Sequence, residues 1–337
     1  MNDLLIGLLS ALVATNPPAA VSNLIQKKTG VSVPIAATND PLEQAHQQLM
    51  ADDDVAQAEV DEWIKERNQR PVPQTDVERA ALNARIKRRF APVHKAYVDF
   101  INANPKYVDA RIAYGSFLND IGEADAAEAQ WNKAREIDPR NPAAWNNLAN
   151  WHGHNGDVKK SFEYYAKAME LEPTEPVYVQ NFATTVFLFR KDAMEHYGIT
   201  EQEVFSKAME LYRKALAMSP EDFSMAAELA QTYYGIKPPK FADTNATRAA
   251  ELKLAGEALT AWREAQKLAR NELEREGIHI HFARWQINMG RAAEARRSLE
   301  AVTNEFWLAS KATQLRRLAG LEKLPGSTND VRKADLP

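Results

Sequence analysis

The feature that most constrains this chain is a short phrase that returns at a fixed distance and ends in proline each time. Pro105, Pro139 and Pro173 are spaced by 139 − 105 = 34 and 173 − 139 = 34 residues, and they end the phrases VDFINANP, AREIDP and AMELEP. A fourth phrase, ALAMSP, ends at Pro220. Proline lacks the amide hydrogen that a helix needs and clashes with the preceding turn, so it ends a helix. The spacing therefore predicts similar helical units in series.

Within this period, residues of the same type recur at the same distance before the proline. Alanines lie five residues before it, aromatic residues eight and glycines seventeen: Ala134, Ala168 and Ala215; Tyr97, Trp131, Tyr165 and Tyr212; Gly122 and Gly156. Small and aromatic residues at helical spacing predict the packed face of a helix. A glycine between two helices favours a left-handed cap. Each unit is therefore predicted to be a pair of antiparallel helices that stacks on its neighbours to bury its apolar stripe.

The segment at residues 142–173, PAAWNNLANWHGHNGDVKKSFEYYAKAMELEP, closely resembles a unit of the tetratricopeptide repeat family. The positions that carry the resemblance are Trp145, Leu148, Gly156, Tyr165, Ala168 and Pro173. Less regular units extend it over about residues 75–305. The resemblance implies an all-α fold, a right-handed superhelical solenoid of about five to six helix-turn-helix repeats with an N-terminal helical extension and a C-terminal capping helix. Trp145 is then expected to pack between helices.

The repeat register and its interruptions predict the domain organisation. The chain is expected to contain an apolar N-terminal helical hairpin, a helical extension with a linker, the repeat solenoid and a disordered tail, at residues 1–34, 40–73, 74–323 and 324–337. Insertions near 190–202 and 235–247 lengthen the same connection in adjacent units, so we expect them to project side by side. They are interpreted either as tolerated surface loops or as a second contact surface.

Composition and missing motifs exclude several classes of function. The 337-residue chain has no cysteine, which removes disulfides, thiolate metal sites and cysteine nucleophiles. Its formal net charge of −4 argues against a general nucleic-acid binder. It lacks the motifs GxxxxGK[ST], GxGxxG, GxSxG and HExxH, which serve phosphate binding, dinucleotide binding, serine hydrolysis and zinc-dependent proteolysis. We therefore expect no enzymatic activity, no catalytic residue and no cofactor.

Two pairs of histidines raise the question of a metal site. His152 and His154, like His279 and His281, are two residues apart on predicted helices. Side chains at this spacing point away from each other. No aspartate or glutamate stands at a recognisable ligand spacing beside them. The histidines are therefore predicted to be structural or surface residues, with no metal bound.

The resemblance also implies that the first helix of each unit lines a concave, peptide-binding groove. Carried over position by position, the groove candidates are Ile112, Ser116, Asn119, Asn146, Asn150, Gln180, Thr184, Phe187, Gln231, Tyr234 and Arg284. An amide side chain donates and accepts hydrogen bonds at once, which suits an extended peptide backbone. Asn147 and Asn150 coincide with asparagines common across the family, so a role in the fold itself stays open for them.

One familiar type of groove is disfavoured in this chain. Some members of the family clamp the carboxylates at the C-terminus of a chaperone with lysine and arginine side chains on successive first helices. The matching positions here are Ile112, Ser116, Asn146 and Asn150, which carry no positive charge. A buried carboxylate without a cation is poorly paired.

These expectations favour an interaction scaffold or adaptor that binds a peptide or protein segment in the groove, with no nucleic acid as partner. The alternative is a membrane-associated or self-assembling structural component acting through the apolar N-terminus. The apolar run at residues 4–14 is too short to cross a bilayer, which takes about 20 residues. Residues 1–30 are interpreted as an export signal, a shallow membrane contact or a contact with the chain's own body or a second copy, forming a homo-oligomer. The predicted location is cytoplasmic, with export or membrane association as the alternative.

Overall fold

The computed structural model describes residues 40–68 and 75–323, and every regular element in that part of the chain is helical. The predicted all-α class is confirmed, since the described residues contain no β-strand. The predicted N-terminal hairpin at 1–34 and the predicted tail at 324–337 lie outside the described residues. None of the helices described combines the length and the hydropathy that a membrane-spanning segment requires. The chain divides after Pro173 into two compact units.

The described part of the first unit consists of helix pairs. Its helices are α1 (Pro41–Asn68), α2 (Asp76–Ala103), α3 (Val108–Asp120), α4 (Ala124–Ile137), α5 (Pro142–His154) and α6 (Val158–Leu171). Helix α1 packs against α2, α3 against α4, and α5 against α6. Helix α3 also contacts α1 and α5, so the first helices of neighbouring pairs lie against each other. The predicted extension at 40–73 thus contains one continuous helix, α1, which packs as the first member of a pair.

The second unit repeats this arrangement and adds a capping helix. Its helices are α7 (Pro176–Leu188), α8 (Arg190–Tyr197), α9 (Glu201–Met218), α10 (Phe223–Thr232), α11 (Thr244–Leu268), α12 (Glu272–Met289), α13 (Ala292–Glu300) and α14 (Leu308–Glu322). The pairs are α7 with α9, α10 with α11, and α12 with α13, while α7 contacts α10 as the next first helix. Helix α14 packs on α12 and α13, which confirms the predicted C-terminal capping helix.

Among the helices of residues 40–68 and 75–323, two begin at capping boxes. Thr75 precedes α2 and Thr200 precedes α9, and each accepts a hydrogen bond from the backbone N–H of the glutamate three residues on, Glu78 or Glu203. The glutamate side chain in turn accepts from the backbone N–H of the threonine. The box satisfies two N–H groups that the first turn of a helix leaves without a partner.

Glycines in the left-handed conformation follow three of the first helices, as the register predicts for Gly122 and Gly156. Gly122, Gly156 and Gly290 have φ angles of 86°, 94° and 80°. They follow α3, α5 and α12, each the first helix of its pair. Side chains other than hydrogen are strained at such angles, so glycine is the residue that allows the chain to reverse there.

The residues that recur at each proline period form the cores of the two units. The aromatic residues are at most 4% exposed and the alanines are fully buried: Tyr97, Trp131, Tyr165 and Tyr212; Ala134, Ala168 and Ala215. Trp145 contacts Tyr164 edge-on, and its Nε1 donates to the Pro139 carbonyl at 2.8 Å, but the residue is only half-buried. The leading tryptophan of the repeat therefore contributes less burial than Trp131.

The two insertions of the second unit contact each other. The first contains the short helix α8, and the second is an irregular connection between α10 and α11 that includes Pro238 and Pro239. Lys237 Nζ lies 2.6 Å from Glu201 Oε2, and the Lys237 backbone N–H donates to the Gln202 side-chain oxygen at 2.8 Å. An ion pair between exposed side chains contributes little stability by itself, but here it joins two separate connections.

Candidate binding surface on the first helices

The groove candidates on α3 serve mainly the helix pair itself. Ile112 is half-buried, and its carbonyl oxygen accepts hydrogen bonds from the Trp131 indole and from the Ser116 hydroxyl, both at 3.2 Å. The Ser116 hydroxyl therefore bonds within its own helix. Asn119, near the C-terminal end of α3, is exposed. It presents the most accessible polar group of these three candidates.

The two amide candidates on α5 bond to neighbouring side chains. Asn146 is buried, and its Nδ2 donates to Oδ1 of Asn147 at 3.2 Å. Asn150 is half-buried, and its side-chain oxygen accepts a hydrogen bond from the Tyr165 hydroxyl. Because Tyr165 is a core residue of α6, this bond joins the two helices of the pair. Asn150 therefore has the structural role that the sequence left open. A contact between Asn150 and a ligand stays a prediction.

In the second unit, polar side chains from two neighbouring first helices meet at one carboxylate. Gln180 and Thr184 lie on α7, and Glu228 lies on α10. Gln180 Nε2 donates to Glu228 Oε2 at 3.0 Å, and the Thr184 hydroxyl approaches the same oxygen at 3.4 Å. The Thr184 hydroxyl also lies 2.9 Å from the Tyr212 hydroxyl of α9. We call Gln180, Thr184 and Glu228 the Glu228 cluster.

Glu228 is a carboxylate whose partners are neutral. Burial raises the pKa of Glu228 to about 7, and the charge of Asp222 adds to the rise. The hydrogen bonds from Gln180 and Thr184 lower the pKa, but their effect is smaller than that of burial. No cation bonds to Glu228 within the described part of the chain. Its ionisation therefore responds to any positive group that approaches, because an opposite charge favours the ionised form.

Two further candidates lie on the same helices as the Glu228 cluster. Phe187 of α7 is half-buried and packs against Phe205 of α9, with ring centroids 5.7 Å apart. Gln231 of α10 is exposed. The surface of these two helices therefore combines an apolar side chain with accessible and half-buried polar groups.

Tyr234 and Arg284, candidates from different repeat units, stack on each other. The Arg284 guanidinium carbon lies 3.9 Å from the centroid of the Tyr234 ring. The same ring is stacked on Trp285 at 4.9 Å, and the Tyr234 hydroxyl lies 2.9 Å from His281 Nδ1. His281 in turn stacks on Trp262 at 3.9 Å. Packed aromatic rings thus hold the position of an exposed arginine by a cation–π contact.

The histidines occupy different environments. His152 is buried and packs against the rings of Trp151 and Tyr164, whereas His154 is exposed. Burial, together with the charge of Arg284, lowers the pKa of His281 to about 3. Within residues 40–68 and 75–323, no three histidine, aspartate or glutamate side chains come close enough together to hold a metal ion.

Sequence reasoning misses Glu228, although a signal for it exists. Glu228 is the only charged residue in FSMAAELAQTYY, residues 223–234. A single charged residue in an otherwise uncharged helix, packed between neighbouring helices, indicates that its side chain lies in largely apolar surroundings. Arg317, whose charge acts on Tyr234, gives no such signal, because it stands beside Arg316 in a helix of mixed composition.

Each unit consists of successive helix pairs. Aromatic residues and alanines recur in the core of these pairs, and the polar candidates lie on the first helices. This arrangement defines a helical-repeat protein of the tetratricopeptide class. Models of the Tetratricopeptide repeat family match residues 108–151 and residues 142–175. Together these matches span α3 to α6. Residues 108–175 of this chain are therefore repeats of the tetratricopeptide family.

The chain is similar to two relatives over less than half of its length. The Photosystem I assembly protein Ycf3 of Rippkaea orientalis (strain PCC 8801 / RF-1) is 26% identical over 144 residues, which are 41% of this chain and 83% of that protein. Its counterpart from Cyanophora paradoxa is 29% identical over 153 residues, which are 44% of this chain and 88% of that protein.

The crystal structure of PilW, a widely conserved type IV pilus biogenesis factor, is also similar to this chain. The match covers 71% of this chain and 96% of the PilW chain at 15% identity, with a TM-score of 0.50. The likeness to PilW shows the fold.

Proposed function

We propose that this protein is a non-catalytic scaffold that binds a segment of a partner protein along its first helices. The observation that carries the proposal is the Glu228 cluster, in which polar side chains of two neighbouring first helices converge on a carboxylate without a cation. A largely buried carboxylate in neutral surroundings is costly to ionise. A hydrogen-bond donor or a positive group of a bound segment would lower that cost, so the cluster favours a polar segment.

The two relatives support a more particular role, in the assembly of a multisubunit protein complex. Each is named a photosystem I assembly protein, and the matches cover 83% and 88% of those proteins. Helix pairs in series suit such a role, because each added pair contributes contact surface within its unit. We infer that the partner is a protein subunit, or an intermediate of its assembly, that docks as a polypeptide segment.

Affinity capture by the full chain from native lysate, followed by mass spectrometry, tests this function. We compare the wild type with Asn150→Ala and Gln180→Ala, and with Glu163→Gln on an exposed position of α6 as the control. We expect a discrete set of proteins whose recovery falls several-fold with each amide substitution, because a lost hydrogen bond is worth about 0.5 to 1.5 kcal/mol. The control should retain full recovery, and circular dichroism should show that all variants are folded.

Two outcomes would contradict the groove function. A partner that is unaffected by both amide substitutions, and is lost only when residues 190–202 or 235–247 are shortened, would place the binding surface on the insertions. If the purified protein contained a stoichiometric cofactor and turned over a small molecule, it would be an enzyme and the scaffold function would be wrong.

A further inference from the structure

We propose that the outer face of the capping helix α14 is a docking site for an amphipathic helix of a partner protein, in which acidic side chains flank the apolar residues. Helix α14 carries none of the candidates of the first helices, so the inference goes beyond the proposed scaffold function. All of the residues on which it rests belong to the second unit.

Helix α14 has two apolar faces, and one of them is exposed. On the buried face, Leu318 and Leu321 pack with apolar residues of α12 and α13. The second face, which we call the α14 seam, consists of four residues that the described part of the chain leaves exposed: Leu308, Ala312, Leu315 and Ala319. The last helix of a repeat protein normally presents a polar outer face, because the protein is otherwise poorly soluble. An apolar face at this position therefore indicates a contact surface.

The spacing within the α14 seam indicates that its occupant is another helix. Successive seam residues are four, three and four positions apart. Alternating steps of four and three form the narrow stripe along which two helices pack side by side. Leucine alternates with alanine along the stripe, and small residues between large ones leave room for side chains of the opposing helix. A helix that lies on a membrane surface needs a larger apolar face than this stripe provides.

The charged residues beside the α14 seam predict an acidic partner. Arg316 and Lys323 are seven residues apart and therefore lie on the same side of the seam. Both are exposed, and neither forms an ion pair with a carboxylate among the described residues. Arg316 donates to the hydroxyl of Thr313 in its own helix at 3.1 Å, and the carboxylate of α14, Glu322, bonds to Arg296 of α13 at 2.6 Å. Charges at such flanking positions select the partner of a paired helix, so aspartate or glutamate beside the partner's apolar stripe fits here.

A second copy of the α14 seam is a poor occupant. The other side of the seam carries Lys311, which donates to the Val302 carbonyl at 2.7 Å, and the buried Leu318. Neither side therefore offers an unpaired acidic residue to Arg316 or Lys323 of a second copy. Two identical faces would set positive charges against each other, which opposes their pairing. The charge of the face thus favours a different protein over self-association.

Selection from a displayed library of helical peptides, against the immobilised full chain, tests the site. Every peptide has leucines at alternating steps of four and three residues, and either glutamate or lysine at each position beside them. We expect glutamate to be enriched on one side of the leucines, opposite Arg316 and Lys323. The enriched peptide should bind at least about tenfold more tightly than a copy with lysine at those positions, because like charges in contact disfavour a complex.

Leu315→Gln should weaken binding of the enriched peptide at least about tenfold, because it places an amide without a partner in the apolar contact. Leu188→Gln is the matched control: Leu188 ends α7 in the same unit and is 36% exposed, against 38% for Leu315. The affinity of this control should stay within about twofold of the wild type, because a residue outside the contact contributes little. Fluorescence anisotropy of the labelled peptide measures the affinity, and circular dichroism shows whether both variants are folded.

A charge reversal provides an independent measurement. Arg316→Glu should weaken binding of the glutamate peptide and strengthen binding of the lysine peptide, each by about three- to tenfold, because the sign of the contact is inverted. A purely structural role of Arg316 would not exchange this preference. Arg263→Glu on α11 is the control, because Arg263 is exposed in the same unit and its replacement changes the net charge equally. Both affinities should then stay within about twofold, because screened charges outside the site contribute little.

Five outcomes would overturn the inference. A library that enriches lysine beside the leucines, or enriches no peptide, would contradict an acidic helix as the occupant. Equal affinities of the wild type and Leu315→Gln would place the peptide elsewhere. A full chain that is a dimer, and becomes a monomer with Leu315→Gln, would make a second copy the occupant. Flotation with phosphatidylserine vesicles that Leu315→Gln abolishes would assign the face to a membrane.

Binding that appears only after Leu8→Ser or Val331→Ser in the full chain would make one of the chain's own terminal segments the occupant. None of these outcomes depends on Gln180 or Glu228. The scaffold function of the first helices therefore stands or fails separately from the docking site on α14.

Discussion

At the scale of single residues, Gly115 shows how close packing between the helices of a pair limits side-chain size. A Cβ atom at this position would lie 2.3 Å from Nε1 of Trp131. Trp131 is 4% exposed, and its indole N–H donates to the Ile112 carbonyl, so the ring has little freedom to move away. Glycine is therefore required here by the approach of a neighbouring side chain.

Replacing Gly115 with alanine should destabilise the protein by about 1 to 3 kcal/mol, the usual cost of overpacking a core. Gly256→Ala on α11 is the control, because no heavy atom beyond its chain neighbours and the backbone of its own helix lies within 4 Å of the added Cβ. It should be neutral or stabilise the helix by about 0.5 to 1 kcal/mol, since alanine loses less backbone entropy than glycine. Urea unfolding followed by circular dichroism measures both. Equal midpoints for the two variants would show that Trp131 moves aside.

At the scale of elements, helix ends can be predicted from this sequence better than contacts between helices. The capping box at Thr75 forms between residues three apart, and each glycine cap depends on a single position. Both can therefore be predicted from a short stretch of sequence. The bond from Gln180 to Glu228 joins residues 48 apart, and the contact of Tyr234 with His281 joins residues 47 apart. The repeat register indicates which residues share a face, but it does not indicate which of them pair.

Replacing Glu228 with glutamine should change how stability depends on pH. Burial raises the pKa of Glu228 from 4.5 to about 7, so the folded state favours the protonated form. The stability that this contributes is fully present below the pKa of the unfolded chain, and is lost as the pH rises through the folded pKa. A glutamine cannot ionise. We therefore expect the variant to gain stability relative to the wild type between about pH 5 and pH 8.

Thermal unfolding at the two pH values measures this difference. Glu210→Gln is the control, because it removes an exposed carboxylate from α9 in the same unit. Its stability relative to the wild type should be the same at both pH values. An advantage of the Glu228 variant that shrinks as the pH rises would mean that the folded protein stabilises the ionised carboxylate.

At the scale of the whole molecule, the family pattern is recognisable where the helices keep a constant length. The helices matched by the family models, α3 to α6, are 13 or 14 residues long. Helices α1 and α2 have 28 residues each and α11 has 25. Longer helices shift the spacing of packed residues between units, so the 34-residue register no longer applies. The sequence therefore predicts the central pairs well and the outer pairs only by their capping signals and core aromatic residues.

The apolar N-terminus, which lies outside the described residues, is tested by comparing the full chain with a chain that starts at Val33. We expect the full chain to keep its N-terminus in cells and to be larger in solution by about one protomer or more, because an exposed apolar segment associates. Light scattering after gel filtration, and mass spectrometry of the intact protein, measure this. Equal protomer numbers would contradict self-association. A mature chain shortened by about 20 residues would indicate export, and a monomer that floats with liposomes would indicate membrane contact.

The stacked rings beside Arg284 also make this part of the protein optically sensitive. Trp262 has a buried indole N–H group without a hydrogen-bond partner in the described part of the chain, and its ring is stacked on His281. The emission of an indole shifts with the electric field across its ring, and Trp285 shares the Tyr234 stack with the guanidinium of Arg284. A charge that arrives at or leaves Arg284 changes that field. Intrinsic fluorescence can therefore follow a change of charge at Arg284 in real time, without a dye or a tag.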